Sequence, residues 1–116
     1  MATPEPEKSA RGSRTGRSLR ALLDLLGRRW VLRIIWELRE GALGFRALQA
    51  HCDDMSPSVL SPRLLELQAA GIVLQDEEGS YRLTPAGGEL FKALAPLREW
   101  AKRWAGRKDI DPDPHM

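Results

Sequence analysis

Apolar residues recur every three or four positions in five stretches of the chain, the spacing of the buried face of a helix. The apolar stripe of the first stretch consists of Leu19, Leu22, Leu23 and Leu26. Ser18 can cap the start of this helix and Gly27 can end it. The second stretch predicts a helix from about Arg28 to Arg39, and Gly41 is a suitable residue to end it.

The middle of the chain predicts two short helices joined by a turn. Residues 42–44 suit a very short strand, and a third helix follows, with its apolar face formed by Phe45, Leu48 and Cys52. Asp53 and Asp54 close that helix. Ser56 and Pro57 then give the clearest start signal in the chain, because an N-cap residue precedes a proline at the first helical position.

The fourth helix is predicted from Pro57 to about Ala70, and Gly71 ends it. Its core face consists of Leu60, Leu64 and Leu67. Pro62 conflicts with this helix, because its missing N–H removes a backbone hydrogen bond. We therefore expect either a bend at Pro62 or a later start of the regular helix.

Two β-prone segments follow, at residues 72–75 and 81–83, and residues 76–80 join them in a small antiparallel hairpin. Thr84 and Pro85 repeat the cap-and-proline signal and open a last helix.

The last helix, which is predicted to reach about Gly106, carries more apolar surface than one small domain can cover. Pro96 can kink it. The side chains that a second copy would cover are Phe91, Leu94, Leu97, Trp100 and Trp104, together with Leu19, Leu22 and Leu23 of the first helix. We therefore expect a two-fold homodimer. The alternative is a ligand pocket with walls formed by Trp100 and Trp104.

Two short helices that meet at an Asp-Asp turn, with a hairpin after the second, are typical of a winged helix-turn-helix domain. The predicted fold class is therefore mainly α with a small β-hairpin, an α+β arrangement whose N- and C-terminal helices build a dimer. Residues 18–106 would form this domain. Residues 1–17 would be a flexible basic arm, and residues 107–116 a flexible tail.

Length and composition narrow the function. The 116 residues suffice for one domain, and 42% hydrophobic residues are enough for it to fold. The net charge of +2 is unevenly spread, since residues 1–20 hold five basic and two acidic side chains, whereas residues 61–80 hold one basic and four acidic. No apolar run reaches the roughly 18 residues that cross a bilayer, and no signal-peptide pattern opens the chain. We expect a cytoplasmic protein without membrane contacts.

The inventory of reactive side chains argues against catalysis. Cys52 is the only cysteine, which excludes an intrachain disulfide. Neither a phosphate-binding loop, a dinucleotide fingerprint nor an HExxH motif occurs. His51 and Cys52 lack a third catalytic partner in the sequence, and adjacent residues at a helix end point in different directions, which disfavours a metal site at residues 51–54. We expect no enzyme activity, no cofactor and no metal.

Double-stranded DNA is the expected partner, because the helix after such a turn enters the major groove. The candidate contacts on this helix are Ser56, Pro57, Ser58, Ser61, Pro62 and Arg63. Arg46 and Arg82 are candidates for phosphate contacts, and the arm adds Arg11, Arg14 and Arg17. Two alternatives remain open: Ser56 serves mainly to cap its helix, and Arg63 forms a structural ion pair, for example with Glu37.

Five blocks of the sequence follow one another in a characteristic order: residues 22–30, 34–38, 44–48, 55–67 and 81–87, followed by Trp100. In order and spacing these blocks resemble the HxlR-type transcriptional regulators, relatives of the MarR group. The resemblance covers roughly residues 18–104. It implies a homodimer that binds a pseudo-palindromic operator and represses transcription by covering a promoter. It also implies a recognition helix at 57–70, a wing at 72–84, and a dimer interface built by the first and last helices.

The chain departs from this family in three places. Many of these regulators carry a sensing cysteine just before the first helix, whereas Cys52 lies at the end of the third. The wing tip is acidic at Glu77 and Glu78, which would repel phosphate, and Leu65 stands where relatives often have a basic residue. The open alternatives are a thiol sensor at Cys52, a small-molecule effector of unknown identity bound at the dimer interface, and a protein-binding module that uses Leu65 and the acidic wing.

Overall fold

The computed structural model describes residues 16–107, which form six helices and one two-stranded sheet. In chain order the elements are α1 (16–26), α2 (Val31–Glu37), α3 (Phe45–His51), α4 (Pro57–Ala69), β1 (Val73–Gln75), β2 (Tyr81–Leu83), α5 (Pro85–Ala93) and α6 (Ala95–Ala105). The predicted fold class, mainly helical with one hairpin, is confirmed. None of the helices in this range is both long and apolar enough to cross a lipid bilayer.

The core lies where α2, α3, α4 and the start of the hairpin meet. Its side chains are at most 7% exposed: Val31, Ile34, Ile35, Leu38, Leu48, Cys52, Met55, Leu60, Leu64, Leu67, Ile72 and Val73. Full burial of one such aliphatic side chain stabilises a fold by about 1.5–3 kcal/mol. This cluster therefore anchors the two helices that flank the Asp-Asp turn.

The hairpin is attached to this core by Val73 of β1, whose side chain belongs to the core. Val73 pairs with Leu83 in the antiparallel sheet. Leu43 adds an isolated bridge, in which its N–H donates to the Tyr81 carbonyl over 2.9 Å and its carbonyl accepts from the Tyr81 N–H over 2.8 Å. In place of the very short strand predicted at 42–44, the structure has one bridged residue, Leu43.

The first two helices differ from the prediction. Residues 16 and 17 are already helical, so Ser18 does not cap α1. The next helix starts at Val31 rather than Arg28, because Trp30 adopts a left-handed conformation with φ of 79°. The intervening turn lets Leu25 and Leu26 of α1 and Val31 of α2 all contact the same core.

The predicted last helix is two helices that meet at Leu94. Pro96 supplies the reason, because it has no N–H to donate to the Lys92 carbonyl and its ring would clash with that group. In place of the kink expected at Pro96, the structure therefore has a break between two helices at Leu94.

Thr84 caps α5 as its sequence signal predicts. Its Oγ1 accepts a hydrogen bond from the Gly87 N–H over 2.9 Å and donates to the Gly71 carbonyl over 2.5 Å. Gly87 lies against the hairpin so closely that a Cβ built there would be 2.1 Å from the Ile72 carbonyl oxygen. The absence of a side chain at Gly87 thus sets the distance between α5 and the start of β1.

Candidate nucleic-acid interface

Helices α3 and α4 are joined by a turn in which two consecutive aspartates are left-handed. The φ angles are 61° for Asp53 and 57° for Asp54, and aspartate tolerates this conformation better than most residues. Met55, only 6% exposed, attaches the turn to the core. The start of α4 is therefore positioned by a short connection that is fixed on both sides.

Arg33 of α2 ties this turn to the rest of the domain. Its Nη2 donates to the His51 carbonyl over 2.7 Å, and its Nη1 donates to the Asp53 carboxylate over 3.3 Å. Its Nε donates to Glu37 over 2.8 Å, and the other oxygen of Glu37 lies 3.1 Å from Nδ1 of His51. The sequence suggests an exposed Arg33–Glu37 pair from the spacing of four residues, but it gives no signal for the contacts with α3.

Arg33 and Glu37 are both charged at neutral pH, and each stabilises the charge of the other. Burial alone would raise the pKa of Glu37, but the hydrogen bonds from Arg33 and His51 outweigh it and leave the pKa below its ordinary value. The hydrogen bond with Glu37 in turn raises the pKa of Arg33. The tether between α2 and the turn is therefore a charge-assisted one.

The outward face of α4 is uncharged. Its exposed residues recur at helical spacing and are Pro57, Ser58, Ser61, Pro62, Leu65 and Ala69. The opposite face buries Leu60, Leu64 and Leu67 to 1% exposure or less. Leu65 is 66% exposed, as the sequence predicts. The helix therefore presents hydroxyl groups and small apolar surfaces to its surroundings while the core holds its other side.

The start of α4 is as predicted, but Ser56 is not a side-chain cap. Ser56 occupies the N-cap position, yet its side chain makes no capping hydrogen bond. Its Oγ lies 3.1 Å from Oγ of Ser58 instead, and both residues are exposed. The alternative in which Ser56 serves mainly to cap its helix is thus wrong, because its hydroxyl contacts the Ser58 side chain and not a backbone N–H of the helix.

Pro62 lies inside α4 without ending it. The helix begins at Pro57, so the alternative of a later start is wrong. The missing N–H deprives the Ser58 carbonyl of a helical partner. Because Ser58 and Pro62 are both exposed, water can replace that bond.

Arg63 is held within the chain. Its Nε donates to the Arg29 carbonyl over 3.1 Å, and its Nη1 donates to the two carboxylate oxygens of Glu66 over 3.1 and 3.2 Å. Glu66 also lies 3.4 Å from Nη1 of Arg28. The structural ion pair foreseen for Arg63 therefore has Glu66 of the same helix as its partner and not Glu37. The contacts of Arg63 with the Arg29 carbonyl and of Glu66 with Arg28 fasten α4 to the turn between α1 and α2.

The remaining cationic candidates are spread over three elements. Arg46, the second residue of α3, is exposed and has no polar partner among residues 16–107. Arg82 is exposed on β2 and lines a shallow depression with Arg39, Glu40 and Pro85, to which α4 contributes no residue. Arg17 is exposed on α1. Arg11 and Arg14 lie outside the described residues.

Cys52 is fully buried, and this burial raises the pKa of its thiol to about 11. At neutral pH the side chain is therefore the protonated thiol, whereas the nucleophile in thiol chemistry is the thiolate. Within residues 16–107 no group of three or more His, Cys, Asp or Glu side chains is arranged to hold a metal ion.

The apolar residues expected at a dimer interface fall into two groups. Leu19 and Leu23 of α1 and Leu97 and Trp100 of α6 are 50–57% exposed. The half-buried members are Leu22, Phe91, Leu94 and Trp104. Trp100 and Trp104 stack on each other with ring centroids 5.9 Å apart, and neither lines the cavity of about 450 Å³ between α2 and the helices α5 and α6.

Comparisons with known proteins agree with this geometry. The sequence model of the HxlR-like helix-turn-helix family matches residues 25–109. An HTH-type transcriptional regulator of Bacillus subtilis, YvaP, is 34% identical over 95 residues, which are 77% of this chain and 88% of that protein.

Two solved structures share the fold. Quinone-bound YodB from B. subtilis has a TM-score of 0.69 and 29% identity, over 74% of this chain and 96% of that one. A transcriptional regulator of the MarR family from Enterococcus faecalis has a TM-score of 0.70 and 27% identity, over 94% of this chain and 96% of that one. The helix-turn-helix and the hairpin described above are thus a winged-helix arrangement shared with transcriptional regulators.

Proposed function

The chain belongs to the HxlR-like helix-turn-helix family of transcriptional regulators, and we propose that it represses transcription as a homodimer bound to a pseudo-palindromic operator. The family places it among DNA-binding regulators and not among enzymes. The operator, the dimer and the repressor role are what the proposal adds to that assignment.

The uncharged outward face of α4 is the observation that carries the proposal. The major groove accepts one α-helix, and serine hydroxyls can donate to or accept from base edges there. Ser58 and Ser61 are exposed on this face, and Leu65 beside them can contact a thymine methyl group. The inner face of α4 is held by the core, so the outer face can enter a groove without unfolding the domain.

Affinity must then come from cations outside this face, because Arg63 is already bound to Glu66 and to the Arg29 carbonyl. We assign Arg63 to holding α4 in place and assign phosphate contacts to Arg46, Arg82 and Arg17, together with Arg11 and Arg14. Each phosphate contact releases a counterion and steepens the salt dependence of binding. Glu77 and Glu78 at the wing tip would repel the backbone, so Arg82 on the strand is the contact that the wing supplies.

Exposed apolar side chains on α1 and α6 support the homodimer. Leu19, Leu23, Leu97 and Trp100 are all at least half exposed, and a second copy of the chain would cover them. In a two-fold dimer the two α4 helices would enter successive major grooves about 34 Å apart. An operator with inverted half-sites follows from this symmetry.

Selection from a pool of random DNA duplexes tests the proposal. We expect enrichment of inverted half-sites whose centres are about 10 base pairs apart. Replacing both Ser58 and Ser61 by alanine should weaken binding to the selected site at least about thirtyfold, because at least two hydrogen bonds of about 1 kcal/mol each are lost, while binding to unrelated duplex stays the same. Ser18→Ala, an exposed serine on α1, serves as the matched control and should change neither affinity.

The same selection can also contradict the operator proposal. If no sequence is enriched, and if raising the salt concentration removes all retention of DNA, the operator proposal is wrong. That outcome favours a protein partner that binds Leu65 and the acidic wing tip.

A further inference from the structure

A groove of about 450 Å³ separates α2 from the helices α5 and α6. Its walls are largely apolar: Trp36 and Phe91 contact each other with ring centroids 5.9 Å apart, and Leu94 and Leu97 extend the surface. Cavities that bind small organic molecules in proteins have volumes of about 300–1,000 Å³. The groove is therefore large enough for a molecule with one or two rings.

Arg98 supplies an unneutralised positive charge on the wall of this groove. It is half-buried, and its guanidinium carbon lies 3.9 Å from the centroid of the Phe91 ring and 5.8 Å from that of Trp36. Its only hydrogen bond within residues 16–107 is from Nη1 to the Phe91 carbonyl, over 2.8 Å. No carboxylate in that range forms an ion pair with it.

A guanidinium has five N–H donors, and a single carbonyl satisfies one of them. A cation partly removed from water is costly unless it is paired. The groove thus combines an apolar surface with an uncompensated positive charge, which is complementary to an amphipathic anion.

We propose that this groove binds a small organic anion, namely a carboxylate with an aromatic body. The ring would pack between Trp36 and Leu97, and the carboxylate would accept two hydrogen bonds from Arg98, as guanidinium groups donate in bidentate pairs. Covering of Leu97 by a second copy would close the mouth of the groove over the ligand.

Two residues of the groove wall connect this site to the helix-turn-helix. Arg33 and Glu37 line the groove, and they are the same residues that hold the His51 carbonyl and Asp53 at the turn before α4. A bound carboxylate brings negative charge towards Glu37 and competes for Arg33. Ligand binding therefore loosens the tether of the turn and weakens operator binding; this last step rests on the proposed function, whereas ligand binding itself does not.

Calorimetric titration of the full chain with 2-naphthoate and with its neutral analogue 2-naphthamide tests the site. The acid should bind at least about tenfold more tightly than the amide, since a hydrogen bond to a charged group is worth about 1.5–3 kcal/mol. Arg98→Met keeps the aliphatic contacts and removes the charge, so it should lower the affinity for the acid to that of the amide. Arg103→Met, at an exposed arginine of the same helix outside the groove, should leave both affinities as they are.

Three results would overturn the site: equal binding of acid and amide, an unchanged affinity for the acid in Arg98→Met, or no binding of either compound. Arg98→Lys keeps the positive charge and guards against a folding defect, since it should retain part of the preference for the acid. If neither compound binds and Trp36→Ala weakens self-association, the groove is a surface between two copies and the proposal is wrong.

Operator binding is measured separately, on the selected duplex with and without 2-naphthoate. We expect a lower affinity in the presence of the acid in the wild type, and no effect in Arg98→Met. If the acid binds but the operator affinity is unchanged, the coupling through Arg33 is wrong. If no operator is found at all, the proposed function fails while the titration still decides on the ligand site.

Discussion

Helices α4 and α6 are both amphipathic, but only α4 buries its apolar stripe within the chain. Leu60, Leu64 and Leu67 of α4 are at most 1% exposed. In α6 no residue is buried, and Leu97 and Trp100 remain 57% and 50% exposed. The same kind of sequence pattern thus leads to two different environments.

The difference lies in what the rest of the chain places beside each helix. Helix α4 packs against β1 and shares the core with α2 and α3. Helix α6 follows α5 after the break at Leu94, and none of its side chains belongs to the core within residues 16–107. A stripe of apolar residues shows that a face will be covered, but it does not show whether the cover comes from the same chain or from a second copy.

The largest effect that we expect is at a buried leucine of α4. Leu64→Ala should lower the free energy of unfolding by about 2–5 kcal/mol, because it removes buried contacts and leaves a cavity. Leu65→Ala, at the next residue, should change it by less than about 0.5 kcal/mol, because that side chain is 66% exposed. Urea denaturation at a fixed protein concentration measures both, and equal effects would contradict the assignment of the two faces.

A charge on the exposed face of α6 should act on assembly instead. Leu97→Asp should raise the dissociation constant of the proposed homodimer by about a hundredfold or more, because a carboxylate would be buried without a partner. Leu65→Asp makes the same change at a similarly exposed leucine of α4 and should leave self-association intact while it weakens DNA binding. Sedimentation equilibrium measures both, and unchanged self-association of the Leu97→Asp variant would mean that α6 is not the interface.

Helix α5 lies between the surroundings of α4 and those of α6, because it contacts the hairpin on which α4 packs and is followed by α6. Gly87→Ala should destabilise the fold by about 1–3 kcal/mol, because overpacking forces the backbone to shift and the new Cβ would lie 2.1 Å from the Ile72 carbonyl oxygen. Gly88→Ala has no atom within 4 Å of the new Cβ, so it should stabilise the helix by about 0.5–1 kcal/mol. Thermal denaturation of the pair checks the sign of each change, and a stabilised Gly87→Ala variant would show that α5 is not held against β1.

The smallest effect that we expect concerns the tether, the hydrogen bonds by which Arg33, paired with Glu37, holds the turn before α4. The pKa of Glu37 is lower in the folded chain than its ordinary value of 4.5, so the carboxylate stabilises the fold above that pH and the contribution is lost as the pH falls. Glu37→Gln should lower the free energy of unfolding by at most about 1 kcal/mol near neutral pH, and by less below pH 4.5. Glu40→Gln, at a side chain that is 83% exposed, is the control. A difference between wild type and Glu37→Gln that does not depend on pH would contradict the tether.

The sequence predicts local structure well where one residue acts on its own backbone. Pro57 and Pro85 mark the starts of α4 and α5, and Pro96 marks the change from α5 to α6. Prolines have this effect without any distant partner, because the missing N–H and the fixed φ are properties of the residue itself. Trp30 is the counter-example: its left-handed conformation has no sequence signal, and the predicted helix therefore starts three residues too early.

The two cap signals show where such reasoning fails. Ser56-Pro57 and Thr84-Pro85 have the same form, yet only Thr84 caps with its side chain. The Thr84 hydroxyl also donates to the Gly71 carbonyl, which holds it in place, whereas the Ser56 hydroxyl is paired with Ser58. Which of the two bonds a hydroxyl makes depends on groups that the tertiary fold brings close.

By itself the sequence determines the order of the helices, the hairpin, and the face of α4 that is buried, because these follow from local conformational preferences and from helical periodicity. Only the tertiary structure decides that Arg63 holds α4 instead of projecting outward, that Arg33 holds the turn, and that Arg98 faces an apolar groove without a counterion. Their contacts join residues up to 34 positions apart in the chain. The partner of a long charged side chain depends on which distant groups the fold places within its reach, and no periodicity in the sequence encodes that.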